Sequence, residues 1–525
     1  MIMSHSPLIT LKNFSFSFEG QEKPVINNLS LTINEGDSIL LIGASGSGKS
    51  TLALCLNGLY PDTVEGYASG DLYFQETHLD KFKKGELNQR IGIVFQDPES
   101  QFCMIKVEDE LAFTLENLSV PRNQMIQKID EVLELIGMTE YKHSNIHELS
   151  GGQKQKIALA AVLLMKPELL ILDEPTANLD PVSSLEFVGL IGELQQQINM
   201  SILVIEHQAD DWIDLMNRVM VLNHNGELMV DDEPQKVFRD YITTLKEEGL
   251  FLPKTSDDLF NQKPPTSFVP NTQPCLSVND LSFFRKKKKV LNGISFDIRC
   301  GELVAIVGEN GAGKSTLLQL MARLLKPERG DMTFLDLPLE NWNESELRKR
   351  TGFVFQNPEH QFIADTVYDE LAFGMRLNGL SENKIKHVVN RLLETFQLTD
   401  HKFSNPFSLS GGQKRRLSVA TMLDENPDLL LFDEPTFGQD ASTTLELMKL
   451  ITQLKRQGTA VTMVTHDMEL VDQYADRVIV LDQGEIALDG KPNDLWKNDN
   501  LLKQARLRKP YRIERSEVVT IGINH

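Results

Sequence analysis

The chain has 525 residues, of which 41% are apolar and 24% are charged, so it is long enough for two or three globular domains with full cores. Its formal net charge of −22 argues against nucleic acid as the main partner, because phosphate backbones are bound through a surplus of Lys and Arg. It has neither a signal-peptide pattern nor an apolar run of the roughly 20 residues that span a bilayer, and its four cysteines lack metal-ligand spacing. We therefore expect a cytoplasmic protein with reduced cysteines that reaches a membrane only through partners.

The first predicted elements are antiparallel strands, since apolar residues alternate over residues 11–18 and 25–33. An apolar run over residues 39–42 then precedes a stretch that fits G-x-x-x-x-G-K-[ST], and helix-like sequence follows at residues 52–56. In such a loop the glycines let backbone N–H groups turn toward anionic oxygens, the Lys adds positive charge, and the hydroxyl can ligate Mg²⁺. The sequence therefore predicts phosphate binding at Gly43, Ala44, Ser45, Gly46, Ser47, Gly48, Lys49, Ser50 and Thr51.

A helical insert and a buried strand come next. Apolar residues at spacings of three and four, such as Met125, Ile129 and Leu133, predict helix, and the continuous apolar run over residues 169–172 is typical of a parallel strand buried on both faces. Asp173 and Glu174 follow this run, where side chains emerge beside the phosphate loop of a doubly wound sheet. An isolated Asp-Glu pair is often only a solvated strand end. Beside a phosphate loop we interpret Asp173 as a Mg²⁺ ligand and Glu174 as the carboxylate that polarises the attacking water.

The same order of motifs occurs twice. Lys49 matches Lys314 at an offset of 265, and Asp173 matches Asp433 at an offset of 260, so the chain contains two homologous domains and not a short-period solenoid. We predict an α/β fold with a first domain over residues 8–247, a proline-rich linker over 248–274, a second domain over 275–514 and a tail over 515–525. The second phosphate loop comprises Gly308, Glu309, Asn310, Gly311, Ala312, Gly313, Lys314, Ser315 and Thr316.

Two further motifs have the sequence L-S-G-G-Q, and each precedes a helix rich in Ala and Leu. With these motifs the chain resembles the ATP-binding cassette (ABC) ATPases over nearly its whole length. The resemblance implies that the signature of one domain closes over ATP held by the other, so Ser150 would meet ATP on Lys314, and Ser410 would meet ATP on Lys49. It thus implies intramolecular pairing of two ABC domains, each with a P-loop core sheet, an antiparallel β subdomain and a helical insert. The ATP-binding signature residues are Ser150, Gly151, Gly152, Gln153, Ser410, Gly411, Gly412 and Gln413.

The resemblance assigns the remaining site residues as well. It implies that Phe18 and, more weakly, Phe284 stack on adenine. The two copies differ at Asn178 against Gly438 and at Glu206 against Thr465, which leaves equal turnover at the two sites open. The Mg²⁺ ligands implied are Ser50, Gln96, Asp173, Ser315, Gln356 and Asp433, and the catalytic residues implied are Glu174, Glu434, His207 and His466.

The stretches at residues 95–102 and 355–362, each of the form F-Q-[DN]-P-E-x-Q-F, resemble the ATPases of energy-coupling-factor importers and their cobalt relatives. This resemblance implies an ATPase that energises uptake of a vitamin, a vitamin precursor or a transition-metal ion, with a weak preference for thiamine precursors. It also implies a transmembrane scaffold and a substrate-binding membrane protein as partners, and peripheral association with the cytoplasmic face of the membrane. The acidic residues Glu108, Asp109, Glu110, Asp369 and Glu370 would then receive the partner, or would only be solvated helix starts.

Two alternatives concern the linker and a basic run. A soluble tandem ABC ATPase acting on ribosomes or nucleic acid is less favoured, because such proteins carry a long, strongly basic linker, and this linker is short and broken by proline. The basic run over residues 285–289 is interpreted as a solvated turn between strands, with lipid-headgroup contact as the alternative.

Overall fold

The structure is a computed structural model that describes residues 6–522, except 21, 22, 62, 199, 255–272, 287, 424–426 and 437. The chain divides into two compact units, Met1–Asp257 and Asp258–His525. Most of the predicted linker lies outside the described residues. Within its described start, Leu250 and Leu252 are buried in the core of the first unit. The predicted domain boundaries stay predictions, and the predicted tail continues a helix that begins at Tyr511.

The first unit contains strands and helices that we number in chain order. The strands are β1 (Pro7–Phe18), β2 (Ile26–Asn34), β3 (Ser38–Gly43), β4 (Gly66–Phe74), β5 (Thr77–His78), β6 (Ile91–Val94), β7 (Leu169–Asp173), β8 (Ser201–Ile205), β9 (Arg218–Leu222) and β10 (Leu228–Asp232). The helices are α1 (Lys49–Leu56), α2 (Glu86–Arg90), α3 (Val107–Asn117), α4 (Arg122–Leu135), α5 (Gly151–Leu163), α6 (Pro181–Ile198), α7 (Pro234–Asp240) and α8 (Ile242–Glu247).

Two sheets position the site of the first unit. The antiparallel sheet has the order β2-β1-β4-β5, and the larger sheet has the order β10-β9-β3-β8-β7-β6. In the larger sheet β3 pairs in parallel with β8 and β9, and every residue of β3, β7 and β8 is buried. The continuous apolar runs form these strands because both of their faces are covered. The carboxyl ends of β3, β7 and β8 therefore meet at one edge of the sheet.

The helical insert follows from its apolar periodicity. Helix α4 begins after Pro121, and it buries Met125, Ile129 and Leu133 along one face. Helices α3 and α5 contribute to the same apolar cluster. Gly137 has a φ of +66° just beyond the end of α4, a conformation that glycine adopts without steric cost.

The second unit repeats this architecture. Its strands are β11 (Pro274–Arg285), β12 (Lys288–Arg299), β13 (Leu303–Val307), β14 (Arg329–Phe334), β15 (Leu337–Pro338), β16 (Thr351–Val354), β17 (Leu429–Asp433), β18 (Ala460–Val464), β19 (Arg477–Asp482) and β20 (Glu485–Gly490). Its helices are α9 (Lys314–Met321), α10 (Glu344–Arg350), α11 (Val367–Leu377), α12 (Glu382–Thr395), α13 (Gly411–Ala420), α14 (Ala441–Arg456), α15 (Met468–Tyr474), α16 (Pro492–Trp496), α17 (Asp499–Gln504) and α18 (Tyr511–Gly522).

The sheets of the second unit have the orders β12-β11-β14-β15 and β16-β17-β18-β13-β19-β20. Read from its other edge, the larger sheet has the order β20-β19-β13-β18-β17-β16, which matches the order β10-β9-β3-β8-β7-β6 of the first unit strand by strand. The architecture confirms the predicted fold class: each unit has a mostly parallel core sheet, an antiparallel subdomain and a helical insert.

Candidate functional site

The loop between β3 and α1 is shaped to surround an anion. Gly46 and Gly48 have φ values of +81° and +89°, and a Cβ on Gly48 would lie 2.7 Å from the carbonyl oxygen of Val25. Only glycine meets both demands, so backbone N–H groups line the start of α1. The Nζ atom of Lys49 donates to the carbonyl oxygens of Gly43 and Ala44, at 2.8 and 3.1 Å.

The hydroxyl of Ser47 supplies a second indication that this loop binds a polar group. Ser47 is 1% exposed, and its Oγ has no hydrogen-bond partner within the part of the chain that the structure describes. A buried hydroxyl without a partner costs free energy unless a ligand or water satisfies it. The loop therefore fits the phosphate groups that its sequence predicts.

The second loop has the same construction. Gly311 and Gly313 have φ values of +87° and +100°, and Lys314 Nζ donates to the carbonyl oxygens of Gly308 and Glu309, at 2.7 and 2.9 Å. A Cβ on Gly308 would lie 2.1 Å from the carbonyl oxygen of Leu481, so no larger residue fits there without movement of the backbone. All predicted residues of this loop lie between β13 and the first turn of α9.

A hydroxyl and a carboxylate meet beside each loop. Ser50 Oγ donates to Asp173 Oδ1 and Ser315 Oγ donates to Asp433 Oδ1, both at 3.0 Å. Burial and the neighbouring charge of Glu174 raise the pKa of Asp173 to about 6, and burial likewise raises the pKa of Asp433. A hydroxyl and a buried carboxylate are oxygen ligands of the kind that Mg²⁺ prefers, and a cation there would offset the burial of the charge.

The first unit brings its predicted catalytic residues together at the ends of β7 and β8. His207 Nε2 lies 3.0 Å from Glu174 Oε1, and Gln96 Nε2 donates to Glu174 Oε2 at 2.7 Å. Burial works to raise the pKa of Glu174, but the charge and hydrogen bond of His207 outweigh it, so the pKa lies below its ordinary value. The carboxylate is therefore held in its ionised form.

The second unit has a looser arrangement. His466 Nε2 lies 3.3 Å from Glu434 Oε1, and the backbone N–H of His466 donates to Glu434 Oε2, also at 3.3 Å. Here burial dominates and raises the pKa of Glu434. The two sites therefore contain the same residue types around the carboxylate in different electrostatic settings.

Both glutamates have strained backbones. Glu174 and Glu434 have φ values of +46° and +49°, and their N–H groups donate to the carbonyl oxygens of Ile205 and Val464, at 2.9 and 3.1 Å. A positive φ is uncommon for a residue other than glycine, and such strain persists where the surrounding structure fixes it, often at functional sites. The strain thus points to a need for these carboxylates in these positions.

The two signature segments begin α5 and α13. Ser150 Oγ accepts a hydrogen bond from the backbone N–H of Gln153 at 3.3 Å, and the side chain of Gln153 accepts one from the backbone N–H of Ser150 at 2.8 Å. Ser410 and Gln413 form the same capping box. Each box leaves the N–H groups of the following glycines at a helix N-terminus, which favours anions. Each segment lies on the helical insert of its own unit.

The predicted adenine contacts lie in the antiparallel sheets. Phe18 ends β1 and packs edge-on against Tyr60, with ring centroids 5.9 Å apart. Phe284, near the end of β11, is 41% exposed, and its backbone N–H donates to Glu328. The basic run that follows lies at the junction of β11 and β12, and Lys287 is outside the described residues.

The acidic stretches do not all face solvent, which corrects one expectation. Glu110 is 5% exposed, and its Oε2 accepts hydrogen bonds from the backbone N–H groups of Cys103 and Met104 at 2.9 and 2.7 Å. Glu370 accepts the equivalent bonds from Ile363 and Ala364. These two carboxylates fix a loop within their own unit, and the interpretation of them as partner contacts is wrong. Burial also raises the pKa of Glu370.

Sequence reasoning noted Asn178 and Glu206 only as differences between the two copies and did not single out Arg415, yet all three contact the site. Glu206 accepts hydrogen bonds from the backbone N–H and the hydroxyl of Thr176, at 3.2 and 2.5 Å. Asn178 donates to the carbonyl oxygen of Gln96 at 2.9 Å, and Arg415 donates to that of Gln356 at 2.5 Å. A position-by-position comparison of the two copies reveals Arg415, because Gln155 occupies the equivalent place.

The ABC transporter family profile matches residues 26–177 and 291–437, which together form more than half of the chain and include both phosphate loops. The chain belongs to the ABC transporter family. Its two ABC domains are therefore ATP-binding domains. No helix in the described part of this ABC protein is long and apolar enough to cross a membrane, and no cluster of three or more metal-ligating His, Cys, Asp or Glu residues occurs there.

Some ABC proteins resemble the chain over most of its length, and a solved structure resembles about half of it. One from Bacillus subtilis (strain 168), named as an HMP/thiamine import ATP-binding protein, YkoD, is 47% identical over 528 residues, which cover 97% of this chain and 96% of the relative. An ABC transporter ATP-binding protein of Methanosarcina mazei is 33% identical over 96% of this chain and 92% of the relative. A solved structure of CbiO1 from Clostridium perfringens, described as part of the ABC transporter complex CbiONQ, is 33% identical, with a TM-score of 0.41, and covers 46% of this chain and 99% of that one.

Proposed function

We propose that the chain is the ATP-hydrolysing subunit of an energy-coupling-factor importer. The observation that carries the proposal is the strained, buried glutamate of each unit, which lies beside a phosphate loop and within reach of a histidine. A carboxylate in that position can polarise a water molecule for attack on a γ-phosphate. In this proposal Glu174 and Glu434 polarise the water, His207 and His466 orient it toward the γ-phosphate, and Lys49 and Lys314 hold the β- and γ-phosphates.

Mg²⁺ is the second cofactor of the proposal. Ser50 and Asp173 in the first unit, and Ser315 and Asp433 in the second, would hold it, together with Gln96 and Gln356. When bound, the ion neutralises charge on the phosphate oxygens. The hydrogen bonds from Ser50 and Ser315 to the aspartates hold each pair of ligands together.

We further propose that each ATP is completed by the signature of the other unit, with Ser150 serving Lys314 and Ser410 serving Lys49. The two capping boxes support this part, because each presents a helix N-terminus whose N–H groups favour a phosphate. Phe18 and Phe284 would contact the adenine rings.

The partners in this proposal are a transmembrane scaffold and a substrate-binding membrane protein, at the cytoplasmic face of the membrane. Exposed apolar side chains support a protein partner at the helical inserts: Ile105 and Ile363, in the segments that precede α3 and α11, are 70% and 63% exposed. The relative named for HMP/thiamine import favours a thiamine precursor over a metal ion as the transported substrate.

Copurification from membranes, followed by ATPase and uptake assays on the purified complex, tests the proposal. The wild-type complex is expected to hydrolyse ATP and to take up labelled HMP or thiamine, and Glu174→Gln with Glu434→Gln should lower turnover by at least about a hundredfold. Glu193→Gln is the matched control, because Glu193 lies exposed on α6. Full ATPase activity in the double variant would show that the glutamates are not needed for hydrolysis. Copurification of the chain with ribosomes and without membrane subunits would contradict the proposed role in an importer.

A further inference from the structure

Each site glutamine and the phenylalanine before it have backbone carbonyl oxygens that accept hydrogen bonds from side chains. The donors of these hydrogen bonds differ between the two units. In the first unit, Gln155 on α5 donates to the carbonyl oxygen of Phe95 at 3.4 Å. Asn178, in the loop after β7, donates to the carbonyl oxygen of Gln96 at 2.9 Å. Two side chains from two separate elements therefore fix this backbone.

In the second unit one side chain makes both contacts. Arg415 on α13 stands at the position of Gln155, and its Nη1 and Nη2 donate to the carbonyl oxygens of Phe355 and Gln356, at 2.6 and 2.5 Å. Gly438 stands at the position of Asn178 and has no side chain that could donate. The guanidinium of Arg415 thus replaces the contacts of both Gln155 and Asn178.

The environment of Arg415 indicates that these two contacts matter. The residue is 2% exposed, and the charges of Glu434 and Asp433 favour its guanidinium cation. A buried charge is retained only when its surroundings compensate for the lost water, and two carbonyl oxygens and two carboxylates supply that compensation here. Lysine could not serve equally, because a single ammonium does not span two carbonyl oxygens as a planar guanidinium does.

We propose that Arg415 is the positioning residue for Gln356, and that the exchange of Gln155 and Asn178 for Arg415 and Gly438 changes which element controls the glutamine of each site. In the first unit the backbone of Gln96 is fixed to the loop after β7. In the second unit the backbone of Gln356 is fixed to the signature helix α13. A shift of α13 therefore moves Gln356 directly. Gly438, which stands where Asn178 stands in the first unit, has no side chain to hold the backbone of Gln356.

The inference rests on the proposed function, since it assumes that Gln96 and Gln356 serve ATP sites. The first test measures steady-state ATPase of the purified complex. Arg415→Gln leaves the carbonyl oxygen of Gln356 without its charged donor, and we expect kcat to fall about tenfold with KM within about twofold. Arg415→Lys should show nearly the same loss. A kcat of Arg415→Gln within twofold of the wild-type value would overturn the proposal.

The matched exchange in the first unit separates positioning from general damage. Asn178→Gly should lower kcat, and adding Gln155→Arg should restore most of it, because the new guanidinium can reach both carbonyl oxygens from α5. Glycine tolerates whatever backbone angles the loop requires, so the exchange imposes no strain at residue 178. If Gln155→Arg fails to restore kcat while the melting temperature is unchanged, a guanidinium on this helix does not position the glutamine.

A third readout does not depend on activity. Hydrogen exchange of the full-length chain should be faster in the peptide over residues 351–362 of Arg415→Gln, and unchanged over residues 91–102. If the wild-type complex hydrolyses no ATP but this local change occurs, the proposed function fails and the structural role of Arg415 stands. Unchanged exchange over residues 351–362 would overturn the inference even in an active complex.

Discussion

Glu206 and Thr465 lie at equivalent ends of β8 and β18, directly before the two site histidines, and they differ in charge. Glu206 is 5% exposed, and burial raises its pKa from 4.5 to about 8, partly opposed by the hydrogen bond from Thr176. Thr465 is 1% exposed and brings no charge into the second unit. The first unit therefore contains a buried acid at the site that the second unit lacks.

This acid should make the stability of the chain depend on pH. The unfolded carboxyl has its ordinary pKa of 4.5 and the folded one a pKa of about 8, so between these values the folded state binds more protons. The free energy of unfolding should therefore fall as pH rises through this window, by at most about 1.4 kcal/mol per pH unit. We expect the melting temperature of Glu206→Gln to rise relative to wild type from pH 6 to pH 8, because glutamine does not titrate.

Glu206→Thr is the control for that experiment, since threonine is the residue of the second copy. Its melting temperature should change with pH in parallel with that of Glu206→Gln, even if the two differ at every pH. A difference between wild type and Glu206→Gln that is the same at all pH values would mean that Glu206 stays ionised in the folded chain.

Among the elements, the starts of α3 and α11 each carry acidic residues in two different settings, one turned into the unit and one near the helix surface. Glu110 and Glu370 turn inward and accept backbone hydrogen bonds, whereas Asp109 is exposed at the helix start. Asp369 is committed within its own helix, where it pairs with Arg376 at 2.8 Å and accepts from the hydroxyl of Thr366 at 2.6 Å. These internal bonds leave Asp109 as the better candidate for a contact with a basic partner.

Substitutions at two neighbouring positions of α3 should therefore affect different properties, folding stability in one case and partner binding in the other. Glu110→Ala removes the acceptor of two backbone N–H groups and should lower the free energy of unfolding by about 1–3 kcal/mol. Asp109→Lys should change stability by no more than about 0.5 kcal/mol, but it should weaken copurification with the membrane scaffold at low salt. Chemical denaturation and pull-down measure the two quantities, and equal copurification of Asp109→Lys and wild type would place the partner contact elsewhere.

The inward turn of Glu110 marks a limit of prediction from sequence. The phosphate loops and the Asp-Glu pairs were predictable because each lies within a few residues of the strand that positions it. Whether Asp109 or Glu110 turns inward depends on how α3 packs against a preceding loop, and adjacent positions of one helix have no local signal that decides it. Arg415 was harder still, because its partners precede it by 59 and 60 residues and the need for it arises at Gly438.

At the scale of the whole molecule, the chain contains two copies of one site, and different residues support the site in each copy. The first unit ties its glutamate to Gln96 and His207 and contains the buried acid Glu206. The second unit supports Gln356 through Arg415. Because both versions keep the lysine, serine, aspartate and glutamate, the differences concern how each site is held and not which residue types it contains.

The proposed pairing of each phosphate loop with the signature of the other unit predicts how paired substitutions combine. In a Glu174→Gln, Glu434→Gln background, which slows hydrolysis, each chain should retain two ATP molecules. Lys49→Ala and Ser410→Arg should each remove one of them, and because both act on the same site, their combination should still retain one. Lys49→Ala with Ser150→Arg should retain none, because these changes act on different sites. Counting nucleotide per purified chain distinguishes the two combinations, and the reverse pattern would mean that each signature serves the loop of its own unit.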